Sequence, residues 1–303
     1  MMITRLGRYV LGSYPPAFYL PYAVSWALGV TALFTLADPR VTGWSLDGGA
    51  LVAALTFVID LLLMRAVDDI RDLDYDREHN PGRPLPSGAV RVSDLTVLIA
   101  VGAAAALVLN AGRGVALVAL AVQLGYAILL LVVDRGWNWP PGDAVGLGAL
   151  VSFPVQVLLN LYLYAGVLHR TGLTPSLLAV PVLVTVSAAF LHLEFGRKVT
   201  RDLRPGERSY VVLWGAQRTA VIAVACAVLS VTLTLVLTRP WGRGPGVAPW
   251  GWLAVLPLAF AAFGAYRFWR ARTVRWPLLP AVLFLLTCFL GYLVVALLGK
   301  DLA

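Results

Sequence analysis

The sequence predicts an all-α membrane protein of nine transmembrane helices enclosing a central cavity, with the N-terminus on the cytoplasmic side. Three observations carry that expectation. Hydrophobic residues make up 59% of the 303 residues and charged residues 13%, and the mean hydropathy of +0.80 is far above that of soluble domains. Apolar runs of about 17 to 25 residues, long enough to cross a bilayer, recur along the chain. The basic residues then sort to one side of those runs.

The nine runs cover about 15–37, 49–67, 95–111, 115–133, 144–167, 176–195, 212–238, 250–268 and 277–298. Residues 1–14 carry charges but no separate short apolar core with a cleavage site, so the first run is expected to remain as an anchor. With the N-terminus inside, the cytoplasmic segments hold Arg5, Arg8, Arg65, Arg71, Arg77, Arg83, Arg91, Arg135, Arg197, Lys198, Arg201, Arg204, Arg208, Arg218, Arg267, Arg270, Arg272 and Arg275. The outer side keeps Arg40, Arg113, Arg170, Arg239, Arg243 and Lys300. This three-to-one bias supports the topology, and it assigns the net charge of +8 to cytoplasmic loops rather than to a nucleic-acid surface. Trp44, Trp137, Trp139, Trp241, Trp250, Trp269 and Trp276 lie near run ends, as an interfacial aromatic belt does. Cys226 and Cys288 sit inside apolar runs and read as core thiols with no disulfide. No linker sets off a soluble part, so residues 1–303 read as one domain. The Gly- and Pro-rich stretch 239–249 reads as an outer turn or lid edge.

Two polar loops stand apart, 68–94 and 194–211, both expected in the cytoplasm. They follow the second and sixth runs and contain 10 of the 16 acidic residues. Their spacing hints at duplication of a four-helix unit, although no residue-level repeat is visible. In the first loop, Asp68, Asp69, Asp72, Asp74 and Asp76 fall directly after an apolar run. Carboxylates packed at a membrane boundary are costly unless a multivalent charge neutralises them. Oxygen-only ligands suit Mg²⁺, and Mg²⁺ on a membrane protein points to a phosphate-bearing lipid substrate. If the second helix continues past Val67, Asp68, Asp72 and Asp76 spread over about 80°, Asp69 lies about 20° beyond, and Asp74 faces away. Arg65 shares that face one turn earlier; an ion pair to Asp68 or Asp69 is the plainer reading and ligand orientation the functional one. The alternative for the whole run is a solvated acidic loop. Asn80-Pro81-Gly82 stops the helix. Arg83-Pro84-Leu85-Pro86-Ser87-Gly88 then forms a stiff strap, which either holds Arg83 against a phosphate or caps the third span.

These residues carry a resemblance. Asp68-Asp69-x-x-Asp72-x-x-x-Asp76, followed by Asn80-Pro81-x-Arg83-Pro84-Leu85-Pro86-Ser87-Gly88, resembles the first signature of the UbiA superfamily of intramembrane prenyltransferases. That signature usually opens on Asn, where this chain has Asp68, a change that keeps an oxygen ligand. The resemblance implies that Asp68, Asp69, Asp72 and Asp76 bind Mg²⁺ bridging the diphosphate of an isoprenyl donor. It implies a nine-helix fold over the whole chain, in the lipid bilayer, with the polar loops on the cytoplasmic side and no nucleic-acid partner.

The second loop departs from the family. Members usually carry Asp-x-x-x-Asp, often with a further Asp, after the sixth span. Here the matching spacing gives Glu194, Lys198 and Asp202, expected on one helical face with Arg201 beside them. A cation thus stands at one expected carboxylate position. Either a second metal has fewer ligands or is absent, or Lys198, Arg197 or Arg201 contacts the diphosphate directly. Glu194, ending an apolar span, is a functional candidate as an intramembrane acid; its structural alternative is an ion pair with Arg197 or Lys198. Arg83 and Arg135 complete the candidate diphosphate contacts. Asp60, Gln123, Asn160 and His192 read mainly as interhelical hydrogen-bonding groups. There is no Walker loop, no His/Cys metal spacing and no Ser-His-Asp set.

The chemistry implied by the resemblance is ionisation of an allylic diphosphate, helped by Mg²⁺ and cationic side chains, to a carbocation shielded from water. Aromatic faces such as those of Tyr19, Tyr22, Trp26, Tyr126, Phe153, Tyr162 and Tyr164 are candidates to line its cavity. The leading expectation is transfer to an aromatic or other lipophilic acceptor. The alternatives are a terpene cyclase of the same fold, which the altered second motif favours, and a transporter or lipid-binding protein, which would more often place its charged site at mid-membrane.

Overall fold

The computed structural model describes residues 2–41, 43–242 and 248–298. Among them the chain is helical, with no strand beyond one isolated bridge, and nine segments are long and apolar enough to cross a membrane. The helices are α1 (Met2–Ser13), α2 (Pro16–Ala37), α3 (Gly48–Arg71), α4 (Leu73–His79), α5 (Val92–Leu109), α6 (Val115–Trp137), α7 (Val145–Thr171), α8 (Ala179–Lys198), α9 (Val211–Thr238), the four-residue α10 (Ala248–Gly251), α11 (Pro257–Trp269) and α12 (Leu278–Leu298). All nine expected runs recur as α2, α3, α5 to α9, α11 with the 3₁₀ turn Trp252–Val255 before it, and α12. Arg243 and part of the 239–249 stretch, residues 243–247, lie outside the described residues, as does Lys300.

The chain clusters into two compact units. The first comprises residues 1–27, 47–141 and 152–169. In it α3 packs on α5 and α6. Asp47 caps α3 by accepting the Ala50 N–H at 2.8 Å. A buried cluster of Tyr9, Ala66, Val67, Ile70, Leu73, Leu85, Val90, Leu95 and Ile99 joins α1, the end of α3, the residues 83–90 and the start of α5. Helix α3 runs one turn beyond the apolar run and takes Asp68 and Asp69 with it. Asp72 (φ −85°, ψ 5°) then makes a joint, but α4 continues the turn, because Asp72 N–H bonds Asp68 O and Asp76 N–H bonds Asp72 O, both at 2.8 Å. Asn80 ends α4, and the strap 83–88 folds on itself: Ser87 N–H reaches Arg83 O and Val90 N–H reaches Pro84 O. Gly88 closes it at φ +77°, a conformation open to glycine and strained for other residues.

Polar side chains inside the spans of this unit bond neighbouring helices. Asn160 Oδ1 accepts the Trp26 indole N–H at 2.9 Å, and the Gln123 amide reaches Asp60 Oδ2 at 3.4 Å. Asn110, Tyr162, Thr56 and Arg113 form a second polar group, with Tyr162 OH donating to Asn110 Oδ1 at 2.8 Å.

The second unit comprises residues 28–46, 142–151 and 170–303. Helices α8 and α9 pack closely along their length, and α12 packs on α8 and α11. The His192 ring bonds Ala223 O at 2.8 Å across the α8–α9 pair. Helix α9 is broken at Gly215 (φ 74°, ψ 158°). Cys226 and Cys288 are free thiols, half-buried and buried. One feature corrects the sequence reading. Helix α8 stops at Lys198, and Val199 turns extended (φ −73°, ψ 120°). Arg201 N–H then bonds Val274 O at 2.8 Å, Trp276 N–H bonds Val199 O at 3.1 Å, and Thr200 bridges Arg275. Val199 buries with Phe268 and Trp276, which outweighs one more turn of helix. Asp202 is therefore off the helix, on an exposed turn, and does not share a face with Glu194 and Lys198.

Candidate functional site

In the first unit the carboxylates of the Asp motif fall into two kinds. Asp69 and Asp76 are buried, at 3% and 1% exposure. Both oxygens of each are engaged by the protein. Asp69 Oδ1 lies 2.7 Å from Arg65 Nη2, and Asp69 Oδ2 accepts the Tyr9 hydroxyl at 2.9 Å. Asp76 Oδ1 accepts the Asn80 amide at 2.8 Å, and Asp76 Oδ2 accepts Arg83 Nη1 at 2.5 Å. The strap thus fixes Arg83 on the motif, where its side chain stays 41% exposed. Asp68 and Asp72 are more open: the Asp68 side chain is 61% exposed with Arg71 Nη1 at 4.0 Å, and Asp72 is half-buried at the α3–α4 joint. Asp74 faces elsewhere, paired at 3.0 Å with both Arg77 and Arg135. Arg135, expected among the diphosphate contacts, is placed on that outlying carboxylate.

The donor set fits Mg²⁺ in kind, since Asp68, Asp69, Asp72 and Asp76 offer only oxygen. In the present side-chain arrangement no three acidic, His or Cys groups among the described residues lie close enough together to hold an ion. Arg65 and Arg83 hold two of the four carboxylates. Asp68 and Asp72 are the accessible ligands, and Asp69 and Asp76 retain lone pairs while being oriented from behind.

In the second unit Glu194 gathers its neighbours. Arg197 Nε donates to Oε2 at 2.6 Å, Lys198 Nζ lies 3.3 Å from Oε1, and the Tyr210 hydroxyl donates to Oε1 at 3.0 Å. Lys198 Nζ also sits 4.9 Å above the Tyr210 ring, and its carbonyl accepts the Ser209 hydroxyl at 2.6 Å. Burial first, and the Glu194 carboxylate second, push the Tyr210 hydroxyl up, so it remains a donor. Arg201 is turned away from this group: its guanidinium donates to Phe268 O at 3.0 Å and lies 4.2 Å over the Phe268 ring. Tyr9 and Tyr210 are the two partners that the sequence reading did not single out.

Nine membrane-length apolar helices among the described residues define an integral, multi-pass membrane protein, which carries an Asp-rich loop bound to a Pro-braced strap. No protein-family profile matches the chain. A digeranylgeranylglyceryl phosphate synthase of Methanoculleus marisnigri is 28% identical over 247 residues, covering 79% of this chain and 81% of that one. A UbiA homologue from Aeropyrum pernix superposes with a TM-score of 0.61 at 19% identity, over 94% of this chain and 98% of that one. A UbiA homologue from Archaeoglobus fulgidus, bound to DMAPP and Mg²⁺, superposes with a TM-score of 0.62 at 14% identity, over 97% and 99%. The chain shares the fold of these UbiA homologues.

Proposed function

We propose that this protein transfers an isoprenyl group from an allylic diphosphate to a lipophilic acceptor within the membrane, in an Mg²⁺-dependent reaction. The observation that carries the reading is the set of four carboxylates interleaved with Arg65, Arg71 and Arg83, from the end of α3 through α4 to the strap, on a UbiA-like fold. The name of the Methanoculleus relative makes a prenylated glyceryl phosphate a first candidate acceptor beside an aromatic one.

In this reading Asp68 and Asp72 hold the ion, with Asp69 and Asp76 completing the set. Mg²⁺, when bound, would screen the diphosphate and make it a better leaving group. Arg83 presents a fixed positive charge, because the strap and Asp76 set its direction. In the second unit, Lys198 and Arg197 are held in place by Glu194 and Tyr210, and they remain the candidate phosphate-binding cations of that unit. Helix walls rich in apolar and aromatic groups exclude water from the cation that forms. Arg201, Asp202 and Arg135 carry less of this assignment, since Arg201 is engaged with Phe268, Asp202 lies off α8 and Arg135 pairs with Asp74.

The test is diphosphate release by the purified protein with Mg²⁺ and dimethylallyl, geranyl, farnesyl or geranylgeranyl diphosphate, with and without acceptor, and products read by mass spectrometry. Acceptor-dependent release with a prenylated product supports the proposal. Release without acceptor, giving a cyclised hydrocarbon or alcohol, replaces transfer by cyclisation. Silence with every donor overturns the reading. Lys198→Ala is expected to raise the donor KM about tenfold, the loss of one charge-assisted contact; an unchanged KM and kcat would leave Lys198 only its ion pair with Glu194.

A further inference from the structure

Helix α1 precedes the first membrane span and contains none of the signature residues, yet three contacts fasten it, one each to α5, the carboxylate motif and the strap. Arg5 forks onto Asp94 at the start of α5, with Nε to Oδ2 and Nη2 to Oδ1 both at 2.6 Å. One turn on, Tyr9 is fully buried among residues of α3, α4, the strap and α5. One turn further, Gly12 meets the strap so closely that a methyl group there would stand 2.8 Å from Pro84 Cγ. The Tyr9 hydroxyl, held at the middle of these three points, donates to Asp69 Oδ2 at 2.9 Å.

We propose that Tyr9 is a positioning residue of the metal site: it fixes the side-chain direction of Asp69, and α1 is the clamp that keeps it there. The inference rests on the metal-binding reading given above. Arg65 holds Asp69 Oδ1, and the Ser13 hydroxyl of α1 also bonds this carboxylate, so α1 supplies two of its side-chain donors, with Tyr9 the buried one on Oδ2. A ligand locked by a neighbouring donor binds a metal more tightly than a freely turning one. Removing the Tyr9 hydroxyl takes from Oδ2 its donor inside the apolar cluster, while Arg65 on Oδ1 and the Ser13 hydroxyl remain.

The experiment is direct Mn²⁺ binding to the full protein in detergent, followed by electron paramagnetic resonance of the free ion, without substrate. Tyr9→Phe is expected to weaken Mn²⁺ binding about tenfold. In an Asp69→Asn background the same change is expected to have no further effect, a non-additivity that a merely structural role does not produce. Arg5→Gln, which loosens α1 at a partly exposed site away from the carboxylates, should shift affinity in the same direction by less, and it serves if Tyr9→Phe does not fold. Wild-type Mn²⁺ binding left unchanged by the Tyr9 and Arg5 variants overturns the role of Tyr9 alone. A wild type that binds no Mn²⁺ and releases no diphosphate overturns the metal reading, and the Tyr9 role with it.

Discussion

Replacing Asp72 by alanine is expected to lower diphosphate release by roughly 100- to 1000-fold while leaving the unfolding midpoint in detergent close to that of the unchanged protein. The reason lies in where Asp72 stands. It occupies the joint between α3 and α4, where its backbone N–H bonds Asp68 O and its carbonyl accepts from Asp76, and alanine keeps both bonds. Its φ of −85° and ψ of 5° are open to alanine as well. The half-buried carboxylate, with the exposed Asp68, is what this loop offers to an ion from outside. A variant that elutes as a single folded species and turns over at the full rate would show the metal assignment to be wrong.

Asp76→Ala is expected to lose both rate and stability. Its carboxylate accepts from Asn80 and Arg83 while almost wholly buried, so truncation strands two donors at the start of the strap. The cost to folding is about 2 kcal/mol, moderated because Arg83 can turn toward solvent. Asp76→Asn separates the two effects. It keeps the shape and an oxygen acceptor, so much of the stability should return, whereas the rate should not, because the ligand charge is gone. If Asp76→Asn restores both, the residue anchors the strap and has no part in the chemistry.

Much of this arrangement was legible in the sequence, for reasons that can be named. Length and hydropathy alone locate the spans, because a bilayer sets the number of apolar residues needed to cross it. The Asp spacing placed Asp68 and Asp69 on the extension of α3 and set Asp74 apart, and the plainer reading of Arg65, an ion pair with Asp69, is what the structure contains. The strap announced itself through its prolines and Gly88. What was illegible depends on distant partners. The end of α8 at Lys198 is fixed by residues 274–276, which no local pattern near Glu194 reveals, so Asp202 was wrongly kept on the helix. The joint at Asp72 likewise follows from no local breaker residue. Tyr210 looked like a lead-in to a span. Tyr9 had one available signal: it follows Arg5 by four residues, placing both on one face of a short amphipathic helix.

The internal pairing of Asp69 and Asp76 also bears on what a chelator is expected to do to the protein. Like charges packed at a membrane edge were expected to need a cation to coexist, but Arg65, Arg83, Tyr9 and Asn80 already compensate the two that are buried. On the proposed metal reading, folding at this locus is therefore expected not to depend on a bound ion, unlike a zinc finger that collapses when stripped. Dialysis against a chelator should silence turnover while leaving the thermal transition in place. Returning Mg²⁺ should then revive activity at once, without any refolding delay.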